Sequence, residues 1–325
     1  MILGRRGLAV LQNIREARRR LRIHLFRQSW VAAQFSRPEA QEELVLDKVM
    51  CAAYREALRR TVKPGDVVVD LGAGTGLLSF FAIEAGARHV YAIEMSATAE
   101  VAAKLIVANG LQERITLIGN NSAKVRLPEL CDLLVTNAYD SFCFDDENIV
   151  PYIADARRRF LKPGARIIPE SCDTVLMPFS SDAFGPGLFP ERLYGFDYQA
   201  FREVRFGAPI TVAAPGKAFT CLGPQKLFAR LNFYEITKAP GAASVEFRVS
   251  SEGRLDGFLG WFESQLCEGV VFSNAPHLPA TCWLQLCFPV QDQPGVCPGD
   301  TITLHLDPQM VAGEPQWKYR VELPS

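Results

Sequence analysis

Residues 66–94 read DVVVDLGAGTGLLSFFAIEAGARHVYAIE, and this stretch decides the fold. The β-branched run at 66–70 is bounded by turn residues and reads as a buried strand. Gly72, Gly74 and Gly76 follow it, spaced to reverse the chain tightly and to let backbone approach a ligand. The apolar segment 77–85 then predicts a helix ended by Gly86, and 89–93 predicts a second strand that closes on Glu94. Working outward, 97–108 reads as a helix stopped by Asn109-Gly110, and 115–118, 133–136 and 166–168 read as three further strands. A helix over about 148–161 precedes the last of them. Strands alternating with helices at this spacing predict a parallel, doubly wound sheet, an α/β fold of Rossmann-like type.

On the N-terminal side, the apolar positions 44, 45, 49, 52, 53 and 58 predict one amphipathic helix from about Glu39 to Arg60, stopped by Pro64-Gly65. A looser helical pattern covers 8–28. Beyond Pro169 prolines and glycines multiply and the apolar runs shorten to strand length, at 174–177, 225–233, 243–249, 257–262, 282–288, 301–306 and 318–323. Short strands separated by turn chemistry predict an antiparallel β-barrel or sandwich. The expected organisation is a helical segment over 1–60, a Rossmann-like domain over 61–169 and a β-domain over 170–325.

Composition narrows the function classes. The 325 residues are 48 % hydrophobic and 22 % charged, enough to bury a large core, and no stretch has the roughly 20 uninterrupted apolar residues of a membrane-spanning helix. The net charge of −1 conceals eight arginines against one acid in residues 1–28, leaving the rest at −8, so no nucleic-acid partner is expected. Those arginines suit either a solvated amphipathic helix or an organelle transit peptide. Nine cysteines without a CxxC pair or a histidine cluster point to a reducing, cytoplasmic compartment and to no metal site.

Two carboxylates identify the ligand of the glycine turn. Glu94, at the tip of the second strand, suits ribose hydroxyls. Asp70, directly before the turn, would repel a pyrophosphate but attract a cationic amino-acid tail. The third glycine also falls one position early for a dinucleotide fingerprint. S-adenosylmethionine (SAM) satisfies all three constraints, and Ser122, beyond the third strand, joins Asp70, Gly72, Gly74, Gly76 and Glu94 as a candidate cofactor residue.

The stretch 67–96 resembles the cofactor site of class I SAM-dependent methyltransferases, and most resembles that of the protein arginine methyltransferases. Leu193-Tyr194-Gly195-Phe196-Asp197 is similar to the segment that ends this family's dimerisation arm, Thr281-Cys282-Trp283 to its threonine-histidine-tryptophan loop, and Pro298-Gly299-Asp300 to a turn of its barrel. The resemblance implies a homodimer docked through an arm at 181–197, with Phe184, Leu188, Phe189 and Leu193 as anchors. It also implies an acceptor guanidinium bracketed by two glutamates on the loop after the fourth strand. Here that loop reads TNAYDSFCFDDE over 136–147, so Asn137 stands at the first position and Asp146 or Glu147 at the second. Trp283 is either a flat wall of the acceptor pocket or a barrel-core residue. Cys282 replaces the loop histidine, and Met50 replaces an arginine that pairs with the SAM carboxylate, leaving Arg55 as a substitute. An amide at 137 adds no charge, so three readings follow: methylation of a guanidino or amine nitrogen on a small-molecule or peptide acceptor, methylation of a neutral nitrogen or oxygen of a metabolite, or a silent SAM-binding subunit.

Overall fold

The computed structural model describes residues 36–139, 141–143, 149–182, 191–214, 219–311 and 314–324. The N-terminal arginine-rich segment lies outside the described residues. Five strands form the first sheet: β1 (Val67–Leu71), β2 (His89–Ile93), β3 (Ile115–Ile118), β4 (Cys131–Thr136) and β5 (Leu161–Ile168). All pair in parallel, in the order β3-β2-β1-β4-β5. β1 is central and buried along its whole length, as its uninterrupted apolar run requires of a strand covered on both faces. Helices Leu77–Glu84, Thr98–Ala108 and Ile149–Phe160 make the crossovers. The order reverses between β1 and β4, so the C-terminal ends of these strands form the crevice where ligands bind in open α/β sheets.

Among the described residues two helices precede the sheet, where a single one is predicted from 39 to 60. Pro38–Leu46 ends at Asp47, whose extended backbone breaks the run, and Asp47 then caps Lys48–Thr61 by accepting the Met50 N–H at 2.9 Å. Only the second helix buries residues, Met50, Tyr54, Ala57 and Leu58, against the core.

Antiparallel structure begins with β6 (Ser171–Ser180), followed by β7 (Arg192–Leu193), β8 (Phe196–Asp197), a helix at Gln199–Phe206, β9 (Ile210–Val212), β10 (Thr220–Cys221), β11 (Lys226–Asn232), β12 (Ala243–Arg248) and β13 (Gly253–Arg254). The chain continues through β14 (Gly257–Cys267), β15 (Val270–Ser273), β16 (Gln285–Pro289), β17 (Gly295–Val296), β18 (Thr301–Val311) and β19 (Glu314–Glu322). A seven-stranded sheet runs β10-β6-β14-β16-β9, with β11 also on β6 and β15 on β14, and β12-β18-β19 form a three-stranded sheet. The segment expected to be a strand from 282 enters strand conformation only at Gln285, because Thr281 Oγ1 accepts the Trp283 N–H and closes a local turn. The helix Gln199–Phe206 has no counterpart in the expected set. No described helix is long and apolar enough to cross a membrane.

Candidate active site

Three glycines with positive φ shape the turn after β1, at 77° for Gly72, 55° for Gly74 and 86° for Gly76. The Gly72 and Ala73 N–H groups both donate to Ile93 O, at 2.9 and 3.0 Å, so the turn is tied to the end of β2. Space matters as much as conformation. A Cβ on Gly74 would lie 3.0 Å from Gln41 Oε1, and one on Gly72 would lie 3.1 Å from Ala138 Cβ. The second contact brings the acceptor loop directly against the glycine turn.

Asp70 is fully buried at the end of β1. Its Oδ2 accepts from Ser79 Oγ at 2.7 Å, while Oδ1 has no partner among the described residues. Burial is the main force on its acidity, opposed by the Ser79 hydrogen bond and reinforced by the nearby Glu94 charge, and together they push its pKa up to about 7. A buried carboxyl with a free oxygen and a raised pKa is poised to receive a cation. Glu94 is also buried, and its carboxylate is aimed by two backbone donors, Gly74 N at 2.8 Å and Ser96 N at 2.7 Å. Each of its oxygens keeps a lone pair for a hydroxyl donor. These groups fit the ammonium and ribose of SAM, and Asp70 and Glu94 would hold those two ends.

The remaining cofactor candidates divide. Ser122 is half-buried at the start of a one-turn helix, and its contact is through the backbone, its carbonyl accepting from Arg159 Nη2 at 2.8 Å. Met50 is buried, and Arg55 is not the substitute cation: it pairs with Glu84 on the exposed side of its helix, Nε to Oε2 at 2.7 Å, with its guanidinium over the Phe81 ring. Ser79 escaped the sequence reading, although a lone hydroxyl in the apolar run LLSFFAI was its visible signal.

The acceptor loop leaves β4 at Thr136, whose Oγ1 donates to Leu71 O at 2.7 Å and accepts the Ala138 N–H at 3.2 Å. Asn137 follows, with a buried Oδ1 that has no partner among the described residues. Tyr139 is buried, its hydroxyl 3.0 Å from that of Tyr54, which itself donates to Thr136 O at 2.9 Å. Burial holds both phenols above their ordinary pKa, so they act here as neutral struts. Asp146 and Glu147, with Asp140 and Asp145, lie outside the described residues.

Trp283 is 9 % exposed, with Tyr139, Phe262 and Phe272 around its ring, and its indole N–H donates to Tyr139 O at 2.9 Å. The residue is therefore core packing that also holds the acceptor loop, not an exposed wall. Cys282 donates its backbone N–H to Asp47 Oδ2 at 2.8 Å, and burial with the Asp47 charge pushes its thiol pKa up, away from a nucleophilic thiolate.

Comparison with known proteins gives the same two halves. Residues 188–319 match the family model described as the arginine methyltransferase oligomerization subdomain, and residues 49–168 match that of the ribosomal protein L11 methyltransferase. The Saccharomyces cerevisiae protein arginine N-methyltransferase 1 is 27 % identical over 80 % of this chain and 78 % of its own. A probable histone-arginine methyltransferase 1.4 of Arabidopsis thaliana is 31 % identical over 82 % of this chain, which spans only 54 % of that protein. Among solved structures, the Trypanosoma brucei PRMT1 enzyme-prozyme heterotetrameric complex with AdoHcy superposes with a TM-score of 0.83 at 20 % identity, covering 90 % of this chain and 95 % of that one. With the parallel sheet, its glycine turn and the antiparallel domain in place, this chain is a class I SAM-dependent methyltransferase that resembles the protein arginine methyltransferase family.

Proposed function

We propose that the acceptor is a guanidino nitrogen, on an arginine side chain of a protein or peptide, and that Asn137 receives one of its N–H groups. The observation that carries this reading is the buried Asn137 Oδ1, which has no donor among the described residues, beside an Ala138 that lies against the glycine turn. A buried carbonyl oxygen left unpaired costs about 1–3 kcal/mol, and a guanidinium is the side chain richest in N–H donors. SAM bound in the turn supplies an electrophilic methyl group, and what the chain adds is alignment. The names of the relatives support the same acceptor class.

The amide at 137 also favours a second reading, a neutral acceptor, because it contributes no charge to attract a cation. Labelled SAM offered with arginine peptides, free arginine and neutral metabolites separates the two. Transfer confined to neutral acceptors would replace the first reading, and no transfer despite SAM binding would make the chain a silent subunit. In Asn137→Glu, the added carboxylate should raise turnover of arginine peptides by about tenfold, from a charge-assisted bond worth about 1.5–3 kcal/mol. Unchanged or lower turnover removes this account of the loop.

We also propose that two copies associate through the segment around β7 and β8. Tyr194 is 91 % exposed and Phe196 70 %, in a region that the oligomerization family model covers. Of the arm anchors expected from the sequence, Phe184, Leu188 and Phe189 lie outside the described residues, and Leu193 is half-buried. None of the nine cysteines is in a disulfide, which supports placing the protein in a reducing, cytoplasm-like compartment.

A further inference from the structure

The described part of the acceptor loop is held from the β-domain at three residues, Tyr139, Ser141 and Phe142. Trp283 Nε1–H donates to Tyr139 O, as above. Asn274 Nδ2 donates to Ser141 O at 3.0 Å and to Leu284 O at 2.7 Å. Phe142 is fully buried among Phe228, Phe288 and Trp317, with Gly260 opposite it, where a Cβ would lie 2.9 Å from the Phe142 ring. After these anchors the chain turns through Cys143 in a left-handed conformation, φ 69°.

Asn274 differs from the other two anchors in that its buried amide makes three hydrogen bonds. It is 2 % exposed, just past β15, and its Oδ1 accepts the Phe262 N–H of β14 at 2.8 Å. One side chain thus joins the β14–β15 hairpin, the turn carrying Trp283, and the acceptor loop four residues after Asn137. Its carbonyl in turn accepts from Gln285 Nε2 at 2.6 Å, so the backbone at 274 is fixed as well. A buried amide with all three bonds made imposes one geometry, since any displacement strands a donor in an apolar surround.

We propose that Asn274 is a positioning residue for methyl transfer: it fixes the acceptor loop from the β-domain side, and so sets turnover of the acceptor without contributing to SAM affinity. The inference rests on the methyltransferase reading of the site. In-line transfer is sensitive to loop placement, and a misplacement of about 1 Å costs on the order of 100-fold. The amide bonds to Phe262, Ser141 and Leu284 and not to the described residues of the glycine turn, where Asp70 and Glu94 are held by Ser79, Gly74 and Ser96 instead.

The test compares Asn274→Ala with Ser273→Ala. Ser273 lies in the same hairpin, where its hydroxyl donates to Phe262 O at 2.6 Å and accepts the Ala275 N–H at 3.0 Å, with no bond to the described part of the acceptor loop. In Asn274→Ala, kcat on an arginine peptide should fall about 10- to 100-fold with SAM Kd within twofold of wild type. Amide hydrogen exchange over 139–143 should rise at least fivefold, and Ser273→Ala should show neither change. Wild-type kcat, unchanged exchange, or equal losses in Ser273→Ala would overturn the proposal. Should Asn274→Ala not fold, Asn274→Ser is measured the same way, and Trp283→Phe, which removes the N–H on Tyr139 O together with part of the indole's packing, must then reproduce the exchange increase. Failure of the wild-type chain to methylate arginine peptides would count against the acceptor reading alone; the turnover arm then moves to the acceptor it does use, and the exchange comparison stands unchanged.

Discussion

A carboxyl buried without a counter-charge stores a pH dependence, and Asp70 is such a group. Its folded-state pKa, about 7, lies above its ordinary value, so the folded protein keeps a proton that the unfolded chain has lost. The stability due to that protonation is complete below about pH 4 and is lost as the pH rises through 7. A cation beside Oδ1 reverses the preference, because it favours the ionised form. SAM should therefore bind about tenfold tighter at pH 8 than at pH 6, as the ionised fraction of a group with pKa 7 changes. The thermal shift on adding SAM should grow over the same range. In Asp70→Asn both the affinity and its pH trend should collapse; a flat trend in the wild-type chain would separate Asp70 from the ligand. At this scale the sequence disclosed Asp70 and Glu94, since each ends a short strand. It could not disclose Ser79 as a partner or Asn137 Oδ1 as an orphan, because both depend on which atoms meet.

Helix Lys48–Thr61 shows how one residue can tie two parts of the fold together. Asp47 accepts the Met50 N–H through Oδ1, capping that helix, and the Cys282 N–H through Oδ2, holding the turn that carries Trp283. Removing the carboxylate loses a cap worth about 1–2 kcal/mol and leaves the Cys282 N–H without its acceptor, a further cost of about 1–3 kcal/mol. Asp47→Ala should lower the denaturant midpoint accordingly, whereas Asp47→Asn, which keeps one oxygen acceptor, should lose less. Equal stability for Asp47→Ala and wild type would refute the strap. The periodicity of apolar residues runs through position 47 without a break, and so predicts one helix from 39 to 60. The break is visible only in the capping chemistry, an aspartate three residues before Met50. In the β-domain the apolar runs located most long strands, but hydrophobicity carries no pairing information. That β6 lies between β11 and β14, and that the turn at 281–283 delays the strand to Gln285, follow from contacts distant in sequence.

For the whole molecule, the two halves are joined at the acceptor site itself. Asn137 extends from the parallel sheet, yet Tyr139, Ser141 and Phe142 are fixed by the antiparallel domain. The sequence made both halves legible separately, because strand-turn-helix spacing and short apolar runs are local signals. Their junction was not, since Asn274 sits in a loop with no periodic or motif signal. Assembly adds a further level. Tyr194, Phe196 and Phe201 are exposed at 91 %, 70 % and 54 %, a concentration of aromatic surface that water solvates poorly. Tyr194 has a positive φ of 54° and Gly195 one of 88°, so the tight β7–β8 turn brings Tyr194 and Phe196 close together in the chain. If this surface is the contact between copies, Phe196→Asp should convert a dimer to a monomer by light scattering, with SAM affinity retained, because Phe196 bears no part of the glycine turn. A mass independent of the substitution would refute the contact. A monomer that also lost acceptor turnover while still binding SAM would show that the active site depends on the pairing of two chains.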